Sequence, residues 1–176
     1  SHPRWKAGPA GTRPSSARHG RPKGFDSFEA QAQAGDVQAA EAAMRQLERT
    51  VSRKNHGRSL FNTMIQACAN SGDCVAAQRY YDEMLRKNIK PNSTTFEILI
   101  GAGAKAESLE SADMWFEELH LAGFEADVGT YDALFRLSAE TGDMSVAEKW
   151  FNFAKNAGVS LAPATLDAML GASVDR

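Results

Sequence analysis

The residues able to carry chemistry are few and poorly placed for it. Of four histidines, His2 and His19 lie in an N-terminal stretch rich in Arg, Ser, Gly and Pro, His56 in a connection and His120 at a helix end. No spacing brings two of them together as metal ligands or as a general-base dyad. Cys68 and Cys74 are too few for a disulfide framework and wrongly spaced for a zinc knuckle, which favours a reducing compartment. Gly101-Ala102-Gly103-Ala104-Lys105 superficially resembles a phosphate loop, yet it lacks the full spacing and sits inside a helical pattern. Small residues for close helix packing are the plainer reading. Asn92-Ser93-Thr94 fits a glycosylation acceptor but falls at a junction between periodic segments, and Glu117-Glu118 reads as a solvated face. The expectation is a non-enzymatic chain with no catalytic residue, metal, cofactor or small-molecule substrate.

Charge is the next signal. The net charge of −2 hides an asymmetry: residues 1–24 hold six of the 20 Lys and Arg (Arg4, Lys6, Arg13, Arg18, Arg21, Lys23) and no acid. The remainder carries 14 basic residues against all 22 acidic ones. A basic arm is therefore joined to an acidic body, which suits a tail that meets a negative surface. Trp5 is the natural anchor of that arm, and its lack of apolar periodicity predicts an extended segment. Its composition also matches organelle transit peptides, so Ser1 reads either as a terminus left by processing or as an edge within a longer natural chain. The longest apolar stretch, around Phe96 to Ala104, is interrupted by Glu97 and falls well short of the ~20 residues of a membrane span.

The elements that must position any site repeat themselves. At a shift of 35 residues, Phe61 falls on Phe96 and Tyr131, Met64 on Leu99 and Leu134, and Ala77 on Ala112 and Ala147. Tyr80, Trp115 and Trp150 coincide, as do Tyr81, Phe116 and Phe151; Asn88, Gly123 and Gly158 mark unit ends. Gly72 matches Gly142, with Glu107 the exception between them. Within a unit, Phe61, Met64, Ile65 and Cys68 follow helical spacing, and so do Ala77, Tyr80, Tyr81 and Met84. Each unit is thus two helices, with the alanine allowing close approach and the aromatics filling the space between units. One pair cannot bury its own apolar face, so the pairs must stack.

These positions predict an all-α fold, an α-solenoid of antiparallel helix pairs with about 3.5 to 4.5 repeats and an extended N-terminal arm. The expected segments are the arm (1–24), a degenerate repeat (25–57), three full repeats (58–92, 93–127 and 128–162) and a partial repeat or capping helix (163–176). The degenerate copy aligns at 37 residues, Gly35-Asp36 on Gly72-Asp73, which places two extra residues in a Thr50–Gly57 connection.

The 35-residue period, the aromatic early in each first helix, the Thr before it (Thr95, Thr130, Thr165) and the ending Asn88-Ile89-Lys90-Pro91-Asn92 together resemble the pentatricopeptide repeat family. That resemblance implies that each unit reads one base of single-stranded RNA. The reading residues would be the one after the first-helix aromatic and the last of the unit. Carried over, the pairs are Asn62 with Asn92, which resembles a pyrimidine reader, Glu97 with Asp127, and Asp132 with Ala162. The family's basic residue near the end of the first helix would be Lys105, where the neighbouring units have Asn70 and Glu140.

The acidic body and carboxylates at these positions supply little phosphate neutralisation. The function expected first is therefore a non-catalytic scaffold docked through its arm and solenoid surface. Its partners would be protein subunits of a large organellar assembly, in a chloroplast or mitochondrion. The alternative is a single-stranded RNA or rRNA binder acting in organellar RNA processing or translation.

Overall fold

The computed structural model describes residues 22–50 and 53–161, together with 163, 165 and 167. Among them there are eight helices and no strand: α1 (Phe25–Gln33), α2 (Val37–Thr50), α3 (Arg53–Ser71), α4 (Cys74–Arg86), α5 (Ser93–Lys105), α6 (Leu109–Leu121), α7 (Val128–Thr141) and α8 (Met144–Asn156). Two-residue turns after α3 and α7 and three-residue turns after α1 and α5 fold each pair antiparallel. The odd-numbered helices pack on one another in order, α1 on α3, α3 on α5 and α5 on α7, forming the inner layer of an α-solenoid. The basic arm residues Arg4, Trp5, Lys6, Arg13, Arg18 and Arg21 lie outside the described residues, as does Ala162; Lys23 is exposed.

The turns repeat as the helices do. Between first and second helix the chain passes through a left-handed residue at Gly35, Gly72, Glu107 and Gly142, with φ of 70°, 78°, 53° and 72°. The next amide then bonds back to a carbonyl in the last helical turn, as Asp73 N to Cys68 O (2.9 Å) and Ser108 N to Gly103 O (2.9 Å). Glu107 meets the backbone demand of this turn without being a glycine. Side-chain caps start the second helices: Asp73 accepts from Ala76 N, Ser108 from Ser111 N and Asp143 from Ser145 N.

The predicted aromatic core is present. Trp150 and Phe116 are fully buried and Trp115 nearly so, with Tyr81 edge-on to Trp115 at 4.9 Å between ring centres. Phe151 departs from the expectation: it is half-buried, on the last of the described pairs. Gly103 lets α5 and α6 approach so closely that a Cβ there would stand 2.7 Å from Ala112 N. Gly101, also expected to serve packing, meets nothing within 4 Å and faces open space.

The Thr50–Gly57 connection is also different. Helix α3 begins at Arg53 and runs for 19 residues, so most of the expected connection is helical. A Cβ at Gly57 would stand 2.9 Å from Ile89 Cδ1. The extension can pass the α4–α5 connection because that residue has no side chain.

Candidate nucleic-acid interface

The inner helix layer carries the candidate positions. Asn62 follows the buried Phe61 on α3, Glu97 follows Phe96 on α5, and Asp132 follows Tyr131 on α7. In each case the buried aromatic fixes the helix rotation, so its neighbour is left half-buried at the surface of the layer. A cleft of about 380 Å³ runs over α1, α3 and α5 and is lined by Glu29, Gln33, Asn62, Gln66, Thr94 and Ile98, among others. A second, of about 400 Å³, lies between α5 and α7 and holds Lys105, Arg136, Glu107 and Glu140.

The structure brings the first candidate pair together. Asn62 Nδ2 donates to Asn92 Oδ1 at 3.1 Å, across 30 residues of sequence. Asn92 is also the N-cap of α5: its Oδ1 accepts from Thr95 N, and Thr95 Oγ1 accepts from Asn92 N, each at 3.1 Å. The Thr95 hydroxyl lies 2.8 Å from Asn62 Oδ1 and 2.9 Å from Asn92 Oδ1. Asp127 likewise caps α7, accepting from Thr130 N at 2.8 Å and from the Thr130 hydroxyl at 2.7 Å. Glu97 is half-buried and Asp127 exposed. Thr165 Oγ1, in the segment after the third unit, donates to Asp132 Oδ1 of that unit at 2.7 Å. The unit-ending candidates at 92 and 127 are thus helix caps first, and only their remaining atoms are available to a ligand.

Lys105 is exposed at the end of α5 and donates to Asn70 Oδ1 at 2.8 Å; Asn70 Nδ2 in turn donates to Ala32 O at 2.8 Å. One cation is therefore held across two units on the inner layer. Arg136, exposed on α7 in the same cleft, is a second cation that the repeat pattern does not single out, because its counterparts are Gln66 and Gly101. Cys68 is fully buried, and burial pushes its thiol up to about 11, so it stays protonated and acts as a packing residue. Among the described residues no group of three or more His, Cys, Asp or Glu is placed to hold a metal ion, and no helix is long and apolar enough to cross a membrane.

Two repeat models match in succession: the PPR repeat family over residues 58–105, and the pentatricopeptide repeat domain over residues 115–176. The chain belongs to the pentatricopeptide repeat family. No curated protein sequence matches it. Among solved structures, the pentatricopeptide repeat protein PPR10 from maize superposes with a TM-score of 0.62 at 20% identity over 82% of this chain. This chain spans only 21% of that protein. The PPR domain of Arabidopsis thaliana protein-only RNase P 1, solved in complex with tRNA, gives a TM-score of 0.71 at 16% identity, covering 86% of this chain and 79% of that one. At such identities these two likenesses establish the solenoid and nothing finer. In this pentatricopeptide repeat chain the threonines at 95 and 165 each reach back to a candidate position of the preceding unit, Asn62 and Asp132. With Thr130 they recur every 35 residues, which marked them in the sequence, but only the fold shows what they bond.

Proposed function

We propose that this chain binds single-stranded RNA along its inner helix layer, and that Asn62 and Asn92 together read one pyrimidine. The observation that carries the reading is the Asn62–Asn92 hydrogen bond, which sets two amides side by side on that layer, with Asn62 on the wall of a cleft. Amide N–H groups suit the acceptor-bearing edge of a pyrimidine. Lys105 and Arg136 offer phosphate contacts in the neighbouring cleft.

The other two pairs pull the other way. Glu97, Asp127 and Asp132 bring carboxylates near the path of a polyanion, and Ala162 lies outside the described residues. Affinity is therefore modest and comes from a few bases at ~1–3 kcal/mol each. The family and the composition of residues 1–24 support an organellar setting, and the reading gives these repeats no reaction of their own. The docked-scaffold reading draws on residues 1–24, of which Pro22, Lys23 and Gly24 alone are described. The RNA reading draws on helices in view, and it stands first.

Fluorescence anisotropy of the full chain with nine-nucleotide strands tests it. Asn62→Ala should weaken binding to oligo(rC) or oligo(rU) by about 1–3 kcal/mol. Equal binding by the wild type, Asn62→Ala and Asn92→Ala would sink the assignment.

A further inference from the structure

Resting on that reading, we infer that Thr95, which belongs to the unit after the Asn62–Asn92 pair, is a positioning residue that fixes which face of the pair a base meets. The argument starts from two backbone amides, whose polarity is not adjustable. Thr95 N can only donate, so the Asn92 side-chain atom 3.1 Å away is its oxygen. That oxygen is an acceptor, so the Asn62 atom 3.1 Å from it is the amide nitrogen. The Asn62 oxygen must then be the atom 2.8 Å from the Thr95 hydroxyl. Asn92 N can only donate, and it donates to that same hydroxyl, whose single proton is thus directed to an oxygen. Its two acceptors in reach are Asn62 Oδ1 at 2.8 Å and Asn92 Oδ1 at 2.9 Å; the latter already accepts from Thr95 N and Asn62 Nδ2, so the proton serves Asn62 Oδ1.

Each amide orientation follows from the one before. The network uses the Asn92 oxygen repeatedly and one Asn62 N–H, which leaves the second Asn62 N–H and the Asn92 Nδ2 hydrogens to face a ligand. A donor-rich pair prefers bases with ring carbonyl acceptors, and it keeps that preference only while neither amide can turn over. Without the hydroxyl, the Asn62 oxygen loses its hydrogen-bond donor. The Nδ2–Asn92 Oδ1 bond alone then holds the amide, and its polarity is kept by one hydrogen bond in place of two. Thr95 is fully buried, so a ligand need not touch it for this effect. Thr165 holds Asp132 in the same way two pairs further along, but a carboxylate has two like oxygens and no polarity to set.

The test uses the full chain and nine-nucleotide oligo(rC), oligo(rU) and oligo(rA). Wild type and Thr95→Ser should prefer the pyrimidine strands, and Thr95→Val should shrink that preference by about tenfold, as expected from one misplaced hydrogen-bonding amide. An unchanged preference in a folded Thr95→Val protein overturns the inference while leaving RNA binding intact. A wild type with no pyrimidine preference overturns the RNA reading, and the inference with it. A second measurement needs neither RNA nor a variant. In nitrogen-15 spectra of the wild type, one Asn62 side-chain N–H should be protected from solvent exchange and the other should exchange freely. Equal exchange of the two means the amide is not held, and that result also sinks the proposal.

Discussion

On the outer side of the solenoid Tyr80 Oη donates to Glu41 at 2.9 Å and Trp150 Nε1 to Asp113 at 2.9 Å, each reaching the second helix of the preceding unit. On the inner side Thr95 and Thr165 reach back to Asn62 and Asp132 in the same unit-to-unit sense. The outer bonds join a large buried ring to a carboxylate, and lysines reinforce them: Lys149 meets Asp113 at 2.6 Å and Glu117 at 2.9 Å, and Lys87 meets Glu48 at 2.8 Å. Burial pulls both ammonium groups toward neutrality, and their carboxylate bonds outweigh it, leaving each held more firmly in its charged form. The inner bonds are made by small hydroxyls to short amides and acids and leave other polar atoms of those groups for a partner. Similar bridging geometry thus serves stability on one side and presentation on the other.

The largest expected break in this comparison is Trp150→Ala. The side chain, on α8, is fully buried against α6 and α7, with Phe116 and Phe135 at 6.3 and 6.5 Å between ring centres. Its loss should cost about 3–5 kcal/mol in urea unfolding. In a stacked array the damage stays near the site, so the Asn62 amide signals should not move. A cost below 1 kcal/mol, on the order of a surface change, would mean that the outer bonds do not carry the stability assigned to them.

A smaller effect separates two glycines of one helix. Gly103→Ala forces a methyl against the backbone of α6 and should destabilise by about 1–3 kcal/mol. Gly101→Ala enters open space on the inner side and should stabilise by up to ~1 kcal/mol through helix propensity. Thermal unfolding of the two variants side by side checks the sign of each. If both destabilise equally, the inner layer is packed at Gly101 too.

Those glycines show where the sequence was readable. The 35-residue register, the buried aromatics and the close approach at Gly103–Ala112 follow from periodicity and residue size, which act locally and repeat. The start of α3 did not follow, because it turns on Gly57 passing Ile89, a contact between residues 32 apart that leaves no pattern in one unit. At the candidate site the family pattern marked Asn62 and Asn92 as a pair. It did not reveal that Asn92 spends its oxygen as a helix cap, nor that Thr95 decides which atoms remain. Hydrogen-bond polarity is a property of three residues from two units, and residue spacing does not encode it.

The smallest expected effect concerns Glu107, where the two sides meet at a turn. Gly72 and Gly142 take φ of 78° and 72° at this point, and Glu107 takes 53° with a side chain attached. A left-handed conformation costs a residue with a Cβ about 1–2 kcal/mol. Replacing it with glycine removes that cost but gives the unfolded chain more freedom, which returns ~0.4–1 kcal/mol. Glu107 is exposed, so little packing is lost. Glu107→Gly should therefore stabilise the fold by about 0.5–1 kcal/mol, the difference of those two terms. It should also remove a negative charge from the cleft that holds Lys105 and Arg136, strengthening RNA binding slightly at low salt. Glu107→Gln separates the two effects: it keeps the strained backbone and loses the charge, so its unfolding temperature should stay near wild type while its RNA affinity follows the glycine variant. If the glutamine variant gains the stability instead, charge repulsion and not backbone strain is what this turn suffers, and the glycines at 72 and 142 are matched by Glu107 at no conformational cost.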